Sequence, residues 1–88
     1  MATAPKIETR AQRLALPPKA RGEPYWRKVH SGLYLGYRRV LEGAGTWVGR
    51  RWDGKRYQEA PIGRADDVAD GDGKAVFSFT QAQRAALA

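Results

Sequence analysis

Between residues 33 and 62 the chain carries three short runs in which an arginine stands beside an aromatic residue, and glycine-rich breaks separate them. The runs read Leu33-Tyr34-Leu35-Gly36-Tyr37-Arg38-Arg39-Val40, then Thr46-Trp47-Val48-Gly49-Arg50-Arg51-Trp52, then Arg56-Tyr57-Gln58-Glu59-Ala60-Pro61-Ile62. Extended backbone sends successive side chains to opposite faces. A small sheet built from these runs therefore buries one face and presents arginines and aromatics on the other. Such a face suits a polyanion.

In the first run Leu33, Leu35 and Tyr37 share a face, and Tyr34, Gly36 and Arg38 take the opposite one. In the second, Trp47, Gly49 and Arg51 share a face, leaving Thr46, Val48, Arg50 and Trp52 on the other. Glu42-Gly43-Ala44-Gly45 supplies a hairpin turn with two glycines able to take positive φ. Asp53-Gly54 is a strong short hairpin signal. Gly63 ends the third run, and Pro61 places that end at a sheet edge. Tyr25 to His30 reads as a lead-in or edge strand, with Trp26 expected as a core or lid residue.

After an acidic loop, Asp66 to Gly73, comes a helix. Ser78 is its N-cap, and Gln81 three residues later completes a capping-box pattern. Phe79, Ala82 and Ala86 form a stripe that leans on the sheet, with Gly49 expected beneath it. Upstream, Pro5, Pro17, Pro18, Gly22 and Pro24 interrupt regular structure, and only Thr9 to Leu16 offers a turn or two of helix. The expected fold is α+β: a three-stranded antiparallel sheet packed against one C-terminal helix. Residues 1–24 are expected as a flexible, poorly ordered arm and residues 25–88 as the folded domain.

At 88 residues there is room for one domain with a modest core. No apolar run approaches the roughly 18 residues a membrane helix needs, and Met1 to Arg13 lacks the apolar centre of a secretory signal. A cytoplasmic, membrane-free protein is expected. The absence of cysteine and the single histidine, His30, argue against disulfides, thiolate metal sites and a histidine-rich centre. No metal or cofactor is expected, and His30 beside Ser31 makes no nucleophilic triad. The aspartates of the acidic loop are out of register for a calcium loop and are expected to cap turns.

The net charge is +7, and residues 1–64 hold 14 Lys/Arg against 5 Asp/Glu. Eleven of the sixteen basic residues are arginine, which suits bidentate contact with phosphate or guanine. Arg38 and Arg50, on one face of adjacent strands, are the leading candidates for DNA contact. Trp52 and Tyr57 join them for sugar or thymine-methyl packing, with Tyr34 beside them. Arg39, Arg51, Lys55 and Arg56 are candidates for flanking phosphates. Single-strand stacking ranks lower, because Tyr37 and Trp47 are expected to face the helix.

One further pattern spans roughly residues 9–88. Glu23-Pro24-Tyr25-Trp26, Gly32 to Arg39, Gly45 to Arg50 and Ala65-Asp66-Asp67 occur in that order. Ala69-Asp70-Gly71, Val76-Phe77-Ser78-Phe79 and Gln81-Ala82-Gln83 follow. This succession resembles the N-terminal arm-type DNA-binding domain of bacterial and phage tyrosine-recombinase integrases. The resemblance implies three strands and a helix, with the sheet entering the major groove, as in the similar plant ethylene-response-type domain. It implies that Arg38 and Arg50, then Trp52 and Tyr57, touch DNA, and that Trp47 and Gly49 are core positions. It further implies double-stranded attachment-site arms as the partner, alongside other recombinase protomers. The family's catalytic tyrosine sits in a large C-terminal domain that these residues do not include. The chain is thus expected to be a non-enzymatic module of a longer recombinase, with none of Tyr25, Tyr34, Tyr37 or Tyr57 as nucleophile. The alternatives are a protein-interaction module and a small basic RNA-binding domain.

Overall fold

A computed structural model describes residues 6–87; residues 1–5 of the expected arm lie outside them. Five strands form, β1 (Tyr25–His30), β2 (Leu33–Arg38), β3 (Thr46–Trp52), β4 (Tyr57–Ala65) and β5 (Val76–Phe77). Two α-helices accompany them among the described residues, α1 (Arg10–Leu14) and α2 (Phe79–Leu87), with a short 3-10 helix at Ala20–Gly22. The fold is α+β, but the expected three-stranded antiparallel sheet is the centre of a larger one. Strand order is β1-β2-β3-β4-β5, antiparallel from β1 to β4, with β5 added parallel to β4. Two residues are too short a run for alternation to announce β5. β4 also outruns its expected end, passing through Gly63 because Gly63 and Arg64 still pair with Trp47 and Thr46.

The strand faces follow from register. Tyr37 lies opposite Trp47 and Leu35 opposite Gly49, so these positions share the face that α2 covers. Their partners in the core are Ile7, Ala65, Phe77 and Ala82. α2 begins with the expected capping box: Gln81 N–H donates to Ser78 Oγ, and Ser78 N–H to Gln81 Oε1, at 3.2 and 2.9 Å. Its buried side chains are Ala82 and Ala86, small enough for close approach to the sheet. Gly49 lies on this face, but the side chain of Ile62 stands over it instead of the helix, with Cδ1 3.6 Å from where a Cβ would sit. In the β2–β3 connection Gly43 takes φ 83°, as its turn requires. Gly45 is required for room, since a Cβ there would meet the Tyr37 ring and the Arg38 carbonyl.

The expected division at residue 24 does not follow the packing. Ile7 is fully buried in the core, and Arg13 of α1 is only 1% exposed. Thr9 and Gln12 cap α1 reciprocally. Arg13 then reaches two aspartates of the acidic loop: Nε donates to Asp67 at 2.8 Å, and Nη2 to Asp66. Asp67 also accepts from Tyr37 Oη at 2.6 Å and from Gly45 N–H at 2.8 Å. Burial opposes ionisation of Asp67, but its bonds from Tyr37, Arg13 and Gly45 outweigh it and hold the pKa below the ordinary value. Asp72 does cap its own turn, taking the N–H groups of Lys74, Ala75 and Val76. Asp67 does not; it is the buried link between the N-terminal segment and the sheet.

Candidate nucleic-acid interface

The sheet face turned away from α2 is assembled by the same parity. Arg38 pairs with Thr46, and Arg50 stands between Tyr34 on β2 and Glu59 on β4. Trp52 pairs with Tyr57 where β3 and β4 turn over. The Trp52 and Tyr57 rings meet edge-on with centroids 5.0 Å apart, and Tyr34 meets Tyr57 the same way at 6.0 Å. Trp52 and Tyr57 remain 46% and 44% exposed, an unusual outlay of large aromatic surface on a protein exterior. Arg38, Arg50, Tyr34, Trp52 and Tyr57 are therefore all on one face.

Arg50 is held in this face by neighbours on both sides. Its guanidinium carbon lies 4.5 Å from the Trp26 ring centroid and 5.3 Å from that of Tyr57. Nη2 donates to Glu59 at 3.3 Å. Nε is buried and, among the described residues, has no hydrogen-bond partner. A buried donor left unsatisfied costs about 1–3 kcal/mol. Trp26 is a lid rather than a core residue, and it is half-buried on the outer face, opposite Gly36. A Cβ on Gly36 would sit 2.7 Å from Trp26 Cζ3. The missing side chain is what lets the indole lie across β2 and reach Arg50.

The remaining expected contacts divide. Lys55 and Arg56 are exposed in the β3–β4 turn. Asp53 shapes this turn by accepting from both their N–H groups, at 2.8 and 2.9 Å. The Arg56 N–H, the Gln58 amide and the Lys55 N–H lower the Asp53 pKa to about 2. Arg51 and Arg39 do not join the face. Arg51 projects to the α2 side and donates Nη2 to Ala86 O at 2.7 Å, close to the negative end of the helix. Arg39 donates Nε to Leu16 O at 3.2 Å and so ties down the N-terminal segment. Arg51 shares parity with Trp47, and that parity already pointed inward.

Sequence reasoning missed Trp26, Lys28 and Arg64 as members of this face. Lys28 stands opposite Tyr34, and Arg64 opposite Thr46. Alternation within β1 separates Trp26 and Lys28 from Tyr25 and Arg27, but only pairing with β2 decides which set points outward. Residues 19–24 were missed for another reason. Lys19 stacks on the Tyr25 ring at 4.5 Å, Tyr25 Oη donates to Pro17 O, and Arg38 Nε donates to Gly22 O at 2.6 Å. Together these contacts draw the segment along the rim of the face. No helix among the described residues is long and apolar enough to cross a membrane. No family model, curated protein or solved structure matches the chain.

Proposed function

We propose that this protein binds duplex DNA through the outer face of its sheet, as the N-terminal module of a site-specific recombinase of the tyrosine-integrase type. The observation that carries this reading is the convergence of Arg38, Arg50, Tyr34, Trp52 and Tyr57 on the one sheet face that α2 leaves open. Strands about 4.8 Å apart put β2 and β4 roughly 10 Å from each other, comparable with a major groove about 12 Å wide. α2 touches β2, β4 and β5, so the sheet curls round it and its other side bulges outward. A bulging, basic, aromatic face fits a groove better than it fits a flat partner.

On this reading Arg38 and Arg50 offer planar forks to guanine or phosphate, and Trp52 and Tyr57 pack on sugar or a thymine methyl. Lys55 and Arg56 extend the contact to flanking phosphates. Arg39 and Arg51 drop out because both lie off this face, Arg39 tied to Leu16 O of the N-terminal segment and Arg51 to Ala86 O of α2. The module performs no chemistry; it brings a recombinase to the arms of its attachment site in the cytoplasm, where neighbouring protomers are further partners.

Titration with duplex and single-stranded DNA at two salt concentrations tests the reading. Duplex preference is expected, with affinity falling steeply as salt rises. Arg38→Ala and Arg50→Ala are each expected to cost about 1–3 kcal/mol, and Lys55→Ala to reduce mainly the salt slope. Stronger binding to single strands would instead favour base stacking on the exposed Trp52 and Tyr57. Weak binding that ignores salt would point to a protein-docking face.

A further inference from the structure

Between residues 19–24 and the outer face of the sheet lies a cleft of about 450 Å³. Lys19, Arg21, Arg38 and Arg50 line it, against the carboxylates of Glu23 and Glu59. Four cations and two anions leave the cleft electropositive. The Arg50 side chain, one of these lining groups, is 34% exposed. Contacts with the Trp26 and Tyr57 rings restrict its guanidinium beforehand, which lowers the ordering cost of binding. Arg21 takes φ 61° and ψ 17°, a left-handed backbone that a non-glycine residue adopts only where surroundings enforce it. Gly22 follows at φ 66°, and its carbonyl is held by Arg38.

We propose that this cleft takes a single phosphate group, which on the reading above is one phosphodiester of the DNA backbone. Arg50 and Arg38 grip it from the sheet, and Arg21 and Lys19 from the segment above. Phosphate oxygens satisfy the terminal N–H groups of the arginine forks in pairs. Glu59 is the resident competitor. At 3.3 Å from Arg50 and 46% exposed, its pair with Arg50 is a weak, solvent-screened contact that a phosphate can displace. The sheet face would then read the groove while residues 19–24 close over one strand's backbone.

Three variants and one small anion test the cleft. Arg21→Gly suits the left-handed backbone, so folding, checked by thermal melting, is expected to be preserved. Its duplex affinity is expected to fall by about fivefold or more at every DNA sequence, and its salt slope by about one. Glu59→Gln is expected to tighten binding about two- to fivefold by removing the competitor. Arg84→Gln, on the exposed side of α2, is expected to change neither. In parallel, inorganic phosphate titrated into the unmodified protein is expected to shift the Nε–Hε resonances of Arg38 and Arg50 saturably. If the duplex binds but Arg21→Gly keeps its full salt slope and Glu59→Gln gains nothing, the cleft is refuted and the sheet-face reading stands. If the duplex does not bind, the sheet-face reading falls and the phosphate titration decides. Saturable arginine shifts then support a site for free phosphate, and unmoved resonances overturn it.

Discussion

Asp67 accepts three donors at once, and one of them, Arg13, is almost wholly shielded from water. Two aromatic rings line the same cation, with its guanidinium carbon 5.8 Å from Tyr37 and 5.2 Å from Trp47. Replacing such a pair with apolar groups is often tolerated, but removing one charge strands the other. Asp67→Asn keeps the shape and removes the charge, and it turns an amide N–H₂ toward groups that already donate. We expect a loss of about 3–5 kcal/mol in unfolding free energy, measured by urea denaturation. A variant within about 1 kcal/mol of the parent would show that Asp66 alone satisfies Arg13.

β1 and the segment before it are docked on β2 through a glycine. At Gly36 both Trp26 and Pro24 occupy the space a side chain would need, with Pro24 Cβ 3.1 Å from the Cβ position. Alanine is ordinarily the better residue within a strand, so any loss at this position comes from the clash. Gly36→Ala is expected to cost about 1–3 kcal/mol, as other overpacked sites do. It should also push the indole off Arg50, which an NMR spectrum reports as loss of the ring-current shift on the Arg50 Nε–Hε signal. An unchanged arginine signal together with unchanged stability would mean that β1 can slide away freely, leaving Trp26 without a positioning role.

Across the whole molecule the pH dependence follows from which protons the folded chain refuses and which it keeps. Asp67 is held below the ordinary carboxylate range, and Asp53 and Asp72 are lowered to about 2, chiefly by backbone N–H groups. An unfolded aspartate titrates near about 3.9. Between about pH 4 and 2 the unfolded chain therefore binds more protons than the folded one, so stability is full above this window and is lost as pH falls through it. Tyr37 behaves oppositely: burial, then its bond to Asp67, raises its pKa, so the stability it confers is present below about pH 10 and lost above it. A plateau between about pH 5 and 9, with Tm falling on both sides, is expected from circular dichroism melts. A Tm that does not change between about pH 5 and 2 would remove Asp67 from its assigned role.

Much of the candidate face was legible from residue order alone. Arg50 and Trp52 oppose Trp47, and Arg38 opposes Tyr37, because side-chain parity belongs to the extended backbone itself and needs no distant contact. The start of α2 at Ser78 was legible for a similar reason, since a capping box closes within four residues. Partners are a different matter. Arg13 finds Asp67 across 54 residues of chain and Arg51 finds Ala86 across 35, and neither choice leaves a local signature. Arg39 and Arg51 were expected at flanking phosphates, yet folding gave each a carbonyl on another side of the protein. Trp26 went to the outer face only when β1 took its register on β2, and residues 19–24 became one wall of a cleft only when Arg38 seized the Gly22 carbonyl. Periodicity decides which way a side chain points; chain closure over long distances decides what is there to meet it.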